Sequence, residues 1–324
     1  MSFFAIVFAL LVEQVRPLSR TNPVHVLLRA WARWARGNFD TGRPHHAWFA
    51  WTLAVLLPGA LAMGLHWLLY WLFGWPAAAL WSAVVLYFTL GFRQFSHHFT
   101  DIRDALEAGD EARARELLAQ WQQVDSSDLP QREVVRHVIE YSVLAAHRHV
   151  FGVLCWFSLC AAVGLGPAGA VIYRLSEFVA RYWSYKNATR LPASAALQTS
   201  AKQAWWSIDW LPARITALGF AVVGSFEDAI EGWRAQAQLR PEDNDGVILA
   251  ATAGAINVQL GGNVLRPAGA TLGSAETSGD QGTESTAGRE PQLGHLRSVV
   301  GLVWRSVVMW LVLLALLTLA RLLG

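Results

Sequence analysis

Asp209 and Arg214 flank and enter an apolar stretch, Trp210–Phe226. An ionisable group in such a place is costly to desolvate and often serves a function. Their spacing of five puts them imperfectly on one helical face, with Pro212 between them. The structural alternative is a buried ion pair, or an Asp209 cap on a helix that begins near Pro212. Glu177 has Arg174 three residues before it and Arg181 four after it, the spacing of an interfacial salt-bridge ladder along a helix. Leu260-Gly261-Gly262-Asn263 could cradle an anion with its backbone amides, with a plain loop as the alternative. Three histidine sets, His45-His46, His97-His98 and His147-x-His149, raise metal binding. Adjacent histidines on a helix point about 100° apart and do not readily share an ion, so they read as interfacial polar residues. The chain has no Walker loop, His-Glu-x-x-His, nucleophile elbow or zinc spacing. No catalytic set and no metal site are therefore expected from the residues themselves.

The elements that must position these groups are membrane helices. Only 15% of the 324 residues are charged and 54% are hydrophobic, against about a quarter charged in soluble domains. Trp48–Phe73 carries His66 but no carboxylate or guanidinium, and is longer than the roughly 20 residues that cross a ~30 Å hydrocarbon core. Trp48, Trp51, Trp67, Trp71, Trp75 and Trp81 cluster where apolar runs begin, end or turn, as expected of rings at the headgroup level. A net charge of +2 gives no ground for a nucleic-acid partner. Cys155 and Cys160 would face different sides of a helix, which argues against a disulfide. Met1–Val12 has neither a basic leader nor a small-residue cleavage site, and reads as a short first membrane helix or an interfacial anchor.

The expected fold is all-α and polytopic, with about four to six membrane helices or re-entrant segments and a small cytoplasmic helical module. Residues 1–92 hold the N-terminal helices and a basic loop. Trp48–Phe73, with a kink at Pro58-Gly59, and Ala77–Phe92 form a tight hairpin around Gly74-Trp75-Pro76. Residues 93–149 form the module, with one amphipathic helix over Asp101–Gln123, a turn at Asp125–Pro130 and a second helix over Gln131–Ala146. Residues 150–262 are membrane-associated, with Trp210–Phe226 a weaker span. Residues 263–295, poor in large apolar side chains, read as a disordered linker, and 296–324 as a last span. Arginines crowd 14–47 and 93–149 and are absent from the hairpin between them, which places both segments in the cytoplasm of a bacterial inner membrane protein. The basic segment 174–203 asks for the same side. Val150–Tyr173 is then a re-entrant hairpin turning at Gly164–Pro167, with a conventional span as the open alternative.

Several stretches resemble the CobD/CbiB family of cobalamin biosynthesis. Ala251-Thr252-Ala253-Gly254-Ala255-Ile256-Asn257-Val258-Gln259-Leu260-Gly261-Gly262 resembles that family's Ala-Gly-Ala-Leu-Gly-Val-x-Leu-Gly-Gly motif. Trp210-Leu211-Pro212-Ala213-Arg214-Ile215-Thr216-Ala217 is similar to its Pro-Ala-Arg-Leu-Thr-Ala run, and Tyr185-Lys186-Asn187 to its Gly-Tyr-Lys/Arg-Asn element. Asp125-Ser126-Ser127-Asp128-Leu129 is similar to its Asp-Thr-Ser-x-Leu-Asp turn, and Asn22-Pro23-Val24 to its His-Pro-Val. The landmarks run in family order from residue 22 to 262. The resemblance implies an integral membrane enzyme that joins an aminopropanol unit to adenosylcobyric acid with ATP. Under it the candidate functional residues are Asp125, Asp128, Glu140, Glu177, Lys186, Asn187, Asp209, Arg214, Gly261 and Gly262.

The chain departs from the family where acids should sit. Of Glu-Ser-x-Ala-Glu-Asn only Glu140 is kept, with Leu144 and Ala145 in place of Glu and Asn. Asn-Thr-x-Asp is replaced by Glu177-Phe178-Val179-Ala180, and paired aspartates by Trp205-Trp206. ATP-dependent chemistry needs carboxylates to hold magnesium against phosphates. Arg148–Phe157, Gly166–Leu175 and Ile208–Pro212 also resemble the AmpE proteins, membrane relatives associated with signalling. The reading from sequence is therefore a divergent, non-catalytic member of the joint group, acting in signalling or binding a protein partner or ligand. The alternative is an active ligase, for which ATP and magnesium would be required and a corrinoid would be the substrate.

Overall fold

Apolar runs bounded by glycine and proline fold into helices throughout. The computed structural model describes residues 2–15, 23–122, 126–184, 193–240, 242–262 and 286–323. In chain order the helices are α1 (Ser2–Val15), α2 (Pro23–Phe39), α3 (Pro44–Phe73), α4 (Trp75–Thr89), α5 (Phe92–Glu107), α6 (Glu111–Gln122), α7 (Gln131–Ala146), α8 (Gly152–Ala162), α9 (Ala168–Ser184), α10 (Ala195–Val223), α11 (Phe226–Leu239), α12 (Asn244–Ile256) and α13 (Leu293–Leu323). A π-helical turn, His147–Phe151, joins α7 to α8. No strand forms among the described residues, only an isolated bridge between Val258 and Arg289. The fold is all-α and polytopic, as the composition requires.

Among the described residues three stretches are long and apolar enough to cross a membrane: Pro44–Phe73, Gln131–Ala162 and Leu293–Ala320. Two of these match the sequence reading. The third does not, because α7 continues through the π turn into α8 where the sequence suggests a module helix that stops at Ala146. Trp75–Thr89 is also shorter than the span read from sequence. Its 15 residues rise about 22 Å at 1.5 Å each, short of the ~30 Å core. The amphipathic helix expected over 101–123 is two helices, because Gly109 takes a left-handed φ of +78° and the Asp110 carboxylate caps the amide of Arg113 at 2.9 Å. Helix α10 starts at Ala195, well before Pro212, and is not among the three candidate crossings.

The chain divides into two compact units, each discontinuous in sequence. The first comprises Met1–Phe92, Arg148–Pro212 and Leu311–Gly324, and the second Arg93–His147 and Ala213–Trp310. Helices α10 and α13 each contribute to both units.

In the first unit, small residues let α2, α3, α9 and α10 pack closely. Ala32, Ala35, Ala50, Ala54, Ala180 and Ala201 form its core with Trp51 and Trp183. Small side chains at helix contacts are what close packing in a bilayer selects. The indole N–H of Trp31 reaches the Ala54 carbonyl and that of Trp183 the Ala32 carbonyl, both at 3.3 Å. The opposite face of α3 exposes Leu57, Leu61, Leu68 and Leu72, which water would penalise and lipid does not. Short α1 buries Ala5, Ile6 and Ala9 and exposes Phe4, Phe8 and Leu11. Helices α8 and α9 turn back on one another through Val163–Pro167, where Gly164 and Gly166 have positive φ. Residues 150–173 are therefore not one straight helix. A side chain on Gly152 would collide with the Tyr173 ring, so the hairpin needs glycine there.

In the second unit, α12 packs against α11 along small residues. Gly254 lies against the backbone of Asp228 and Ala229, leaving no room for a Cβ. Asp243 caps α12 by accepting from the Gly246 amide at 2.8 Å, and Asn257 ends it at a left-handed φ of 51°. The segment after it is met by Thr286–Arg289. Thr286 N–H donates to the Leu260 carbonyl at 2.7 Å and Gln259 N–H to the Arg289 carbonyl at 2.8 Å. The expected linker thus ends in an ordered return at 286–291, and its residues 263–285 lie outside the described ones.

Candidate functional site

The second unit brings Glu140 and Gly261 together although 121 residues separate them. The Gly261 N–H donates to Glu140 Oε1 at 2.7 Å. Arg136, one turn earlier on α7, donates through Nη1 to the same carboxylate oxygen at 3.0 Å and to the Gly261 carbonyl at 2.6 Å. Its Nε and Nη2 reach Glu133 Oε2 at 3.0 and 2.6 Å. His137 Nδ1 lies 3.2 Å from Glu140 Oε2. The Arg136 and Glu140 side chains are 6% and 11% exposed, so each charge is desolvated, and multiple partners are what make such burial tolerable. The anion seated on the Gly261 amide is thus a carboxylate of the protein itself. Beside it, Arg132, Arg136, Gln259, Gly261, Gly262 and Glu290 line a cavity of about 310 Å³.

The sequence points to Glu140 and Gly261 but not to the arginine between them. Arg136 sits in an amphipathic helix, where an arginine reads as solvated. The spacing Glu133-x-x-Arg136-x-x-x-Glu140 is the signal that could have found it, since i,i+3 and i,i+4 neighbours share a helix face. Arg214 lies in the same unit and donates to Asn244 at the start of α12. Asp128 is exposed, in the turn before α7. Asp125, Lys186 and Asn187 lie outside the described residues.

The first unit holds a separate set. Glu177 is 3% exposed and bridges Arg174 at 2.7 Å and Arg181 at 2.8 Å, the ladder its spacing predicts, with the carboxylate buried. Burial pushes its carboxyl up, but Arg174 and Arg181 more than offset this and hold it at about 2. Asp209 lies inside α10 and so cannot cap a helix starting near Pro212. Its Oδ1 accepts from the Tyr173 hydroxyl at 2.8 Å. Tyr173, in turn, packs on Trp205, one of the tryptophans that stand where the family has aspartate, with ring centroids 5.2 Å apart.

Among the described residues no three His, Cys, Asp or Glu side chains group to hold a metal ion. The Glu140 oxygens are engaged by Gly261, Arg136 and His137. The described residues therefore do not fit magnesium as arranged.

Against known proteins, the family model described as CobD/Cbib protein matches residues 3–297. The chain belongs to the CobD/CbiB family. It is 32% identical over 96% of both chains to a protein of Stutzerimonas stutzeri named Cobalamin biosynthesis protein CobD. It is 34% identical to a Chromobacterium violaceum protein of that name, over 55% of this chain and 54% of the relative. A Mycobacterium tuberculosis protein of that name is 28% identical over 70% of this chain and 67% of its own length. No solved structure matches. These findings overturn the non-catalytic signalling reading, because a relative matched along nearly its whole length is named for biosynthesis. The AmpE likeness gains no support from them.

Proposed function

We propose that this CobD/CbiB member is the cobalamin-pathway ligase that joins an aminopropanol unit to adenosylcobyric acid with ATP, in a bacterial inner membrane that it crosses several times. The arginine-rich segments 14–47 and 93–130 then face the cytoplasm, where ATP is available. Family membership supports the reading, and the observation that carries it is the Glu140–Gly261 junction. It joins the surviving acid of one family motif to the glycines of another, and a buried arginine braces both. Such a brace fixes backbone and charge beside a cavity, which is what phosphoryl and acyl transfer require of a protein, since their catalysis is largely positioning and electrostatic stabilisation.

In an amide ligation of this kind a substrate carboxylate oxygen takes the γ-phosphoryl group and ADP leaves. The amine then attacks the acyl carbon, and phosphate departs as the nitrogen loses a proton. Arg136 would hold positive charge near the phosphates, and Glu140 would keep the glycine segment in register. The test is genetic. This gene, expressed in a strain lacking the ligase, restores cobalamin-dependent growth, and Glu140→Ala abolishes the rescue. Absence of rescue with the wild-type protein present in the membrane would sink the proposal.

A further inference from the structure

We propose that the cavity beside Gly261–Gly262 is a phosphoryl-anion subsite in which Arg132 exchanges Glu290 for the ligand. The inference rests on the ligase reading and deepens it. The two arginines lining the cavity differ in freedom. Arg136 is 6% exposed and fixed by Glu133, Glu140 and the Gly261 carbonyl, so it supplies an immobile wall. Arg132 is 60% exposed and meets Glu290, itself 70% exposed, at 3.5 Å. An exposed pair of that length is weak, so a phosphate can displace the carboxylate at little cost. Glu290 sits on the return segment whose neighbour Arg289 is bonded to Gln259; the backbone is therefore held while the carboxylate is free to swing.

Glu133 and Glu140 both answer Arg136, whereas Arg132 is answered by Glu290 alone among the charges lining the cavity. When Glu290 swings out, the Arg132 guanidinium can meet an anion instead. Gly262 keeps the approach open. Its φ of +107° disfavours a side chain, and a Cβ there would point at Arg136 Nη1, 3.6 Å away. The shared chemistry is a phosphoryl group, from a soluble phosphate ester or from a lipid headgroup.

The test uses the full chain and isothermal titration. Lipid-free protein in detergent is titrated with inorganic pyrophosphate, and protein in phosphatidylcholine nanodiscs is compared with protein in nanodiscs containing phosphatidylglycerol. Binding to the detergent protein assigns a soluble ligand. Pyrophosphate binding in phosphatidylcholine that phosphatidylglycerol abolishes assigns the headgroup. In either case Arg132→Ala weakens binding about tenfold, as for loss of one charge-assisted hydrogen bond, and Glu290→Gln tightens it about threefold. Pyrophosphate binding that neither variant alters, or none at millimolar concentration, overturns the subsite. The two proposals fail separately. Genetic rescue by the wild type without pyrophosphate binding removes the subsite alone, whereas absence of rescue removes the ligase reading.

Discussion

Glu140 and Glu177 are both buried carboxylates answered by arginine, yet they hold the molecule in different ways. Glu177 is tied to Arg174 and Arg181 of its own helix, and Arg181 is 70% exposed. Glu140 is tied to α7 through Arg136 and also to the Gly261 amide far along the chain. The first network balances charge within a helix. The second closes a tertiary contact through backbone and side chain at once, and it lies beside a cavity. A buried acid with a long-range backbone partner is the better guide to function, because a helix can satisfy its own charges without shaping a site.

Glu140→Ala gives the largest expected effect. It leaves Arg136 partly unpaired and the Gly261 amide without its acceptor, a loss of about 3–5 kcal/mol. Thermal unfolding of the detergent-solubilised protein measures it, and a loss below that of Glu177→Gln would break the comparison. Glu177→Gln should cost about 1–3 kcal/mol, because exposed Arg181 can turn to solvent. The pH profile sharpens this. With a folded value of about 2 against an ordinary 4.5, the pair stabilises fully above about pH 4.5 and is lost as pH falls toward about 2. The stability difference between wild type and Glu177→Gln should therefore shrink on acidification across that window; a difference that stays constant would mean the carboxylate is not what the arginines hold. Tyr173→Phe removes the buried hydrogen bond to Asp209, and the expected loss is smaller again, about 1–2 kcal/mol.

Much of the fold was legible in the sequence and part of the site was not, for identifiable physical reasons. Pro44–Phe73 and Leu293–Ala320 are visible because hydropathy over 20 or so residues is a strong local signal. The continuity of α7 into α8 is hidden because Arg136, Glu140 and His147 to His149 make the segment look soluble, while burial against partners makes those groups tolerable. Gly254 and Gly261 stand in one motif yet act differently, the first in helix packing and the second in the site, and only the fold separates them. Arg136 is hidden because its partners include a backbone carbonyl 125 residues away, which no local pattern encodes.

Asp128 supplies the baseline against which the two buried acids should be read. It belongs to the family-like turn Asp125–Leu129, but it is exposed, with water as a ready substitute for any partner. Asp128→Ala should then change stability by less than about 0.5 kcal/mol, the smallest effect of the series. The informative measurement is genetic rescue alongside unfolding. Full rescue with unchanged stability assigns the turn a structural role and leaves function to the buried network. Lost rescue with unchanged stability would make an exposed acid more important than a buried one, and would overturn the ranking drawn from Glu140 and Glu177.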